Sequence, residues 1–290
     1  MTRTETPQTR LVQKLRSADA FLIGASNGLS ITEGLHLFAE NQAFDTLFGD
    51  FKRKYGLTCL LQGMAARWPS EQEKWCFWAR SIHHYCATYQ PTPVMQDLRA
   101  IVGNKDYFIV TSNGEGHFER CGFLPEKIYE VEGSWLEMQC ARPCHDARYP
   151  TLEWAETAFA AQKQGKIPAS LVPRCPKCGG PMEIHMAGGP NFLPDLDAQR
   201  RLQGFLRRSS GEKLLLLELG IGWRNQLIKA PLMRLAAQEP NATYVTVNLG
   251  EIFIPDAIRE KSFGLDGSLD QVLSALRKAC ERTLSRENRT

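Results

Sequence analysis

The chain has 290 residues, 43% of them apolar and 23% charged, with a formal net charge of +3. That length holds one large domain or two small ones, and the near balance of charge gives no case for a nucleic-acid partner. The N-terminal stretch is polar and lacks the apolar core of a secretion signal, and no apolar run approaches the roughly 20 residues of a membrane span, so a cytoplasmic protein with no membrane contact is expected.

Five short continuous apolar runs read in chain order as buried parallel strands: 20–24, 107–111, 127–131, 214–219 and 244–248. Helical patterns at 70–89, 95–102 and 227–237 lie between them, and the wide gap at 25–106 must hold several helices. Strands alternating with helices imply an α/β fold, a Rossmann-like parallel sheet covered on both faces. Residues 134–212 differ: they hold two cysteine pairs, many prolines and glycines and one helical stretch at 152–164. They read as an inserted module. The sheet domain is then discontinuous, residues 1–133 with 213–290.

Nine cysteines are present. In a reducing compartment they are thiols or metal ligands rather than disulfides. Four form two pairs, Cys140-x3-Cys144 and Cys175-x2-Cys178, separated by thirty residues. Each pair can chelate one ion from a tight turn, and two pairs complete a tetrahedral shell of four thiolates around zinc. A closed shell leaves no place for substrate, so the ion is expected to be structural. His145, beside Cys144, is a poor substitute ligand because adjacency constrains its reach.

The first strand runs into Gly24-Ala25-Ser26-Asn27-Gly28-Leu29-Ser30-Ile31-Thr32-Glu33-Gly34. Small residues between a strand and a helix let backbone N–H groups approach a pyrophosphate, and Ser26, Asn27 and Ser30 add side-chain donors. The pattern is not GxGxxG, and by itself it is an ordinary strand–helix turn. Its neighbours make it specific. Thr111-Ser112-Asn113-Gly114-Glu115-Gly116 follows the second strand, and Tyr129-Glu130-Val131-Glu132-Gly133-Ser134 precedes the cysteine pairs. Glu218-Leu219-Gly220-Ile221-Gly222, Val247-Asn248 and Phe263-Gly264-Leu265-Asp266-Gly267 come after them.

In this order the motifs resemble those of the sirtuin family over roughly residues 15–280. Phe48–Gly56 and Glu218–Gly222 look most like its macrodomain-linked branch, class M. The resemblance implies a Rossmann-like domain with a zinc module and NAD as cosubstrate. It implies protein mono-ADP-ribosyl transfer, with a protein acceptor of the lipoyl-carrier type. By resemblance the NAD contacts are Ala25, Ser26, Asn27, Gly28, Ser30, Glu33, Gly34, Ser112, Asn113 and Glu115. Gly220, Ile221, Gly222, Asn225, Asn248, Leu249, Asp266 and Gly267 follow in the second half, with 263–267 as the last NAD-contacting loop. Asn113 would be catalytic, orienting the ribose; its alternative is to cap the helix after the second strand.

Glu132 is the main departure. Deacylating sirtuins carry a His there as general base, and an ordinary carboxyl near pKa 4.3 is a poorer base than an imidazole. A carboxylate can still accept from ribose hydroxyls and stabilise positive charge at the anomeric carbon, which suits ADP-ribosyl transfer better than deacylation. His117 is not expected to take over the base role. Glu33 stands where the family has a small Ser, Glu115 where it has Asp, and the family's PDFR loop is absent. Lysine deacylation and NAD or ADP-ribose sensing without turnover are the other readings. Elsewhere, Trp75, Trp78, Ile82 and Tyr85 share one helix face and read as core. His83-His84 diverge on the helix and make a poor metal pair. Arg200, Arg201, Arg207 and Arg208 read as a solvated face, or as a surface for an acidic carrier.

Overall fold

The computed structural model describes residues 6–287, with side chains described to residue 282. A short amphipathic helix α1 (Pro7–Ser17) leads into β1 (Ala20–Ala25). The wide first gap holds α2 (Asn27–Thr32), α3 (Gln42–Tyr55), α4 (Leu60–Ala65), α5 (Glu71–Ile82) and α6 (Pro93–Val102). α5 continues as a π turn over His83–Ala87. Next come β2 (Asp106–Thr111), the single turn α7 (His117–Arg120) and β3 (Ile128–Glu130). Then follow β4 (Gly133–Cys140), β5 (Tyr149–Pro150), α8 (Leu152–Ala161), β6 (Met182–Met186) and α9 (Leu196–Arg208). The chain closes through β7 (Leu214–Leu219), α10 (Gln226–Gln238), β8 (Thr243–Asn248), β9 (Ser262–Asp266) and α11 (Leu269–Glu287).

Six strands form one parallel sheet in the order β3-β2-β1-β7-β8-β9. The order reverses between β1 and β7, which opens a crevice at their C-terminal ends. β1 and β7 are buried along their whole length, as their unbroken apolar sequence requires when both faces are covered. Phe21, Ile23, Leu215 and Leu217 pack into a core with Leu11 of α1, Leu98 of α6 and Leu273 of α11. Leu22, Leu216 and Tyr244 pack on the other face with Phe205 of α9 and Leu232 of α10.

β9 was not among the five expected strands. Residues 263–266, expected within a cofactor loop, instead lie in this edge strand, with Asn248 paired to Asp266. Its apolar residues alternate with Ser262, Gly264 and Asp266, so it lacks the continuous run that marks a strand buried on both faces.

β4, β5 and β6 form a separate antiparallel sheet in the order β5-β4-β6. Its core is shared with α3 and α5: Phe48, Trp75, Trp78 and Ile82 cluster with Trp135, Ala155, Cys175 and Ile184. Trp75 meets Trp154 edge-to-face at 5.0 Å, and Trp78 meets Trp135 at 5.7 Å. The helix face carrying Trp75, Trp78, Ile82 and Tyr85 is therefore core, with every one of these residues buried. His83 stacks on Phe159 at 3.8 Å rather than pairing with His84.

One buried charge pair sits inside the sheet. Glu218 is fully buried in β7 and accepts from Lys229 Nζ at 2.5 Å, Tyr244 OH at 2.6 Å and Thr246 Oγ1 at 2.8 Å. Three donors satisfy the carboxylate, the condition under which a buried ion pair is tolerated.

Candidate active site and zinc centre

Cys140 ends β4, Cys144 follows in the next turn, and Cys175 and Cys178 flank a turn before β6. All four Sγ atoms lie within 4.8 Å of one another. Cys140 to Cys178 is 3.7 Å and Cys144 to Cys175 is 3.6 Å. A tetrahedron with Zn–S near 2.3 Å has edges of about 3.8 Å, so the four sulfurs fit a zinc ion. Gly179 makes the second turn possible: it sits at φ +67 and donates its N–H to the Cys175 carbonyl at 2.8 Å. His145 is not a fifth candidate ligand. Its Nδ1 lies 3.1 Å from Cys144 Sγ and its Nε2 lies 2.7 Å from Tyr149 OH, an arrangement that orients a metal-bound thiolate from outside.

A cleft of about 580 Å³ opens where the two sheets meet, at the C-terminal end of β1 and β2. Asn27, Ser112, Asn113, Glu115, Glu132 and Asn225 line it, so five of the expected cofactor residues are brought together there with Glu132. Ser26 ties the crevice shut beneath them. Its Oγ accepts from Ser112 Oγ at 2.9 Å and Asn225 Nδ2 at 2.9 Å, and Asn225 also reaches Ser112 Oγ at 3.0 Å. This links the ends of three strand-to-helix connections that are distant in sequence.

Asn113 is buried. Its N–H donates to Thr111 Oγ1 at 3.0 Å and its Nδ2 to the Ser26 carbonyl at 3.2 Å. Its Oδ1 is buried without a hydrogen-bond partner. The helix after β2 begins at Gly116 with no side-chain cap, so capping does not account for Asn113. The loop is strapped to the crossover from β3 to β4, where Trp135 N–H donates to the Gly114 carbonyl at 2.7 Å, and the crossover is tied in turn to the end of β6 by Ala187 N–H, which donates to the Glu132 carbonyl at 2.8 Å. Glu132 stands solvent-exposed at the cleft mouth. The surrounding protein nevertheless disfavours its charged form and raises its pKa.

Several expected contacts do not face the cleft. Ala25 is in the sheet core. Gly28 meets Gly220 backbone to backbone: its N–H donates to the Gly220 carbonyl at 3.0 Å, and a Cβ on Gly28 would lie 2.6 Å from that oxygen. Ser30 Oγ donates to Glu115 Oε1 at 2.5 Å. Glu33 points away from the cleft and accepts from Tyr89 OH at 2.5 Å and Thr92 Oγ1 at 2.8 Å. Its other oxygen lies 2.9 Å from His117 Nδ1, and His117 Nε2 lies 2.7 Å from the Tyr85 carbonyl. Both His117 nitrogens are thus engaged, which leaves it no role as a base for substrate.

Burial alone would lower the His117 pKa. The hydrogen bond to Glu33 and the charges of Glu115 and Glu33 outweigh it, and the pKa is raised. Burial raises that of Glu115, against the opposing charge of His117. Gly34 faces open space. Ile221, expected as a cofactor contact, is instead buried in the core with Leu22, Ile228 and Leu232, while Gly220, Gly222, Asn248, Leu249, Asp266 and Gly267 form a second group at the ends of β7, β8 and β9. There Gly220 N–H donates to the Val247 carbonyl and Gly267 N–H to that of Asn248.

The sequence reading missed the cleft's apolar walls, Leu37, Phe38, Leu61, Met64, Trp135 and Met186, and also Arg224. No local motif marks these walls, because they come from distant segments. Arg224 sits two residues after Gly222 and was within reach of the motif reading.

The chain is 31% identical to a protein ADP-ribosyltransferase of Staphylococcus aureus over 279 residues, covering 92% of this chain and 87% of that one. It belongs to the sirtuin family, in the protein ADP-ribosyltransferase branch. A probable bifunctional ADP-ribose hydrolase/ADP-ribosyltransferase of Fusarium oxysporum is 32% identical over 72% of this chain, which spans 36% of that longer protein. An NAD-dependent protein deacylase of Aeropyrum pernix is 30% identical over 48% of this chain and 47% of its own length. No family model matches. Among solved structures, a Sir2 homologue in complex with NAD superposes with a TM-score of 0.65 at 15% identity, covering 98% of both chains. A structure described as the basis of sirtuin substrate affinity gives 0.63 at 17% identity, over 94% of this chain and 99% of that one. At these identities the structural matches establish the fold. The Rossmann-like sheet with a separate zinc-binding sheet is the sirtuin fold.

Proposed function

We propose that this enzyme modifies an intracellular carrier protein of the lipoyl type, with Asn113 and Glu132 as its catalytic residues. As a sirtuin-type protein ADP-ribosyltransferase it uses NAD as cosubstrate, which supplies an ADP-ribosyl group on a cleavable nicotinamide bond. The observation that carries the assignment of roles is the buried, unpartnered Oδ1 of Asn113 beside the cleft. A buried acceptor without a donor costs stability unless a bound molecule supplies one. Ribose hydroxyls and a carboxamide N–H are donors of the right kind. Held by Thr111 and Ser26, Asn113 cannot turn away, so it is preorganised to orient the reacting ribose.

Glu132 is placed to accept from a ribose hydroxyl, and its raised pKa brings it closer to neutral pH than an ordinary carboxyl. The apolar walls Leu37, Phe38, Leu61, Met64 and Trp135 line the same cleft, and a bound NAD packed against them would shield the reacting bond from water. The group at the ends of β7, β8 and β9 is assigned to the adenosine half. For the chain as a whole we assign 1–133 with 213–290 to the NAD domain and 134–212 to the zinc module.

Lysine deacylation is the second reading, favoured by the similarity to the deacylase. Glu132 in the place of a histidine argues against it. Incubation with labelled NAD and a lipoylated carrier protein tests the proposal: label on the carrier supports it. Release of O-acyl-ADP-ribose from an acyl-lysine peptide, with no labelled carrier, overturns it in favour of deacylation. NAD binding with no nicotinamide release overturns both.

A further inference from the structure

Behind the 132–135 crossover lies a second cavity, of about 440 Å³, on the far side of Gly133 from the cleft. Glu119 of α7, Glu130 of β3, Glu137 of β4, His185 of β6, Arg148 and Arg201 of α9 are in its polar lining, with Ser134 and Asp195. Its hydrogen-bond accounting is lopsided. His185 is 1% exposed, and its Nε2 lies 2.7 Å from the Leu193 carbonyl. A carbonyl only accepts, so Nε2 carries the hydrogen and, in the neutral ring, Nδ1 is a bare acceptor. Burial lowers the pKa of this ring, which keeps it neutral. Nδ1 has no hydrogen-bond partner and lies 3.6 Å from Glu137 Oε2, so two acceptors confront one another.

Glu119 Oε2 is likewise buried and unpartnered. The arginines do not balance these groups. Arg148 is shared between Glu137 at 2.8 Å and Asp195 at 3.2 Å, and Arg201 Nε donates to the Glu126 carbonyl. The cavity therefore has a surplus of acceptors, against an apolar wall that includes Ile128 and Leu136; burial and the neighbouring carboxylates raise the pKa of Glu119 and Glu130, so both ionise readily only with a cation beside them. A bare metal ion is a poor fit. Among the described residues, three or more metal-ligating atoms converge within 4.8 Å at the four cysteines and at Glu33, Glu115 and His117, and not here.

We propose that this cavity binds a primary aliphatic amine. Its ammonium group donates to Glu119, Glu137 and His185 Nδ1, and its methylenes lie against Ile128 and Leu136. Three N–H donors on a flexible stem suit spaced acceptors better than one ion does. This inference is independent of the transfer chemistry, because none of these groups lines the NAD cleft.

Calorimetry on the zinc-loaded full chain, with ADP-ribose present to occupy the main cleft, tests it. The probes are 1,4-diaminobutane as a free amine and N-acetyl-lysine methylamide as a protein side chain. 1,4-Butanediol serves as the neutral isostere and manganese chloride as the metal. Saturable one-site binding of either amine, weakened at least tenfold in both Glu119→Gln and Glu137→Gln, supports the site. The stronger amine identifies the source as a free amine or a lysine side chain. If one variant fails to fold, as judged by melting and zinc content, the alanine variant at the same position takes its place. Absence of amine binding overturns the proposal. So do equal binding of the diol, manganese binding in preference to both amines, and an amine affinity unchanged in the folded variants.

Discussion

The zinc centre, within the antiparallel sheet, and the cleft, where the two sheets meet, are both small clusters of polar side chains, yet they are built in opposite ways. The zinc centre takes four identical ligands from two tight turns, and the geometry of each turn is fixed within a few residues. The cleft takes six different residues from four separate segments, and the direction of each side chain is fixed by what surrounds it. Ser30 and Glu33 stand on α2 and at its end, as Asn27 does at its start, but turn inward, because Glu115, Tyr89 and His117 offer them buried partners. A ligand set fixed by local spacing survives in the sequence as a readable motif. A set sorted by tertiary neighbours does not.

Five measurements probe this contrast. Removing the metal, by chelation or by Cys175→Ser, should have the largest effect. Structural zinc is worth on the order of 10 kcal/mol to small zinc modules, so metal content and the thermal midpoint should both collapse, with activity lost as a consequence. Loss of activity with zinc and midpoint intact would show the metal to be more than structural. Next, Lys229→Met should cost about 3–5 kcal/mol in denaturant unfolding, because it strands Glu218 in the sheet. A second change, Glu218→Leu, should recover much of that loss.

Asn113→Ala should lower nicotinamide release about 10²–10³-fold, by analogy with the removal of one preorganised hydrogen-bonding group, while the midpoint barely moves. A large drop in the midpoint with near-normal turnover would make Asn113 structural. Glu132→Gln should lower transfer by about 10²-fold and flatten the acid limb of the pH profile. If the reaction needs the carboxylate, wild-type activity must fall as pH drops through the Glu132 pKa, which lies above the ordinary carboxyl value. Full activity in this variant would remove Glu132 from the mechanism.

The smallest effect concerns His117. Its pKa is higher folded than unfolded, so the folded state holds more protons between the two values. The stabilisation it gives is fully present below the unfolded value of about 6.5 and is lost as pH rises through the folded value. Between the two values stability declines by at most about 1.4 kcal/mol for each step of one in pH. Unfolding measured at several pH values should show that decline. His117→Gln should flatten it, and an unchanged slope would exclude His117 as its source.

Much of the sheet was legible because β1, β2, β7 and β8 carry apolar runs that must be buried on both faces. β9 was hidden because its apolar residues alternate with polar ones and glycine. The cysteine cluster was legible by spacing, and the position of Asn113 at the cleft by its motif. Gly28 was legible as a glycine but not in its role, since only the fold shows that Gly220 lies against it.

By itself the sequence determined the parallel sheet, the zinc ligands and the order of motifs that places the chain among the sirtuins. Each of these rests on contacts or periodicities a few residues long. Only the tertiary structure decided which polar side chains face the cleft and that helices α3 and α5 share a core with the zinc-bearing sheet. It alone disclosed the acceptor-rich cavity behind Gly133. Those outcomes depend on which donors and acceptors meet across dozens of residues, and hydrogen-bond satisfaction on burial, rather than local pattern, selects among them.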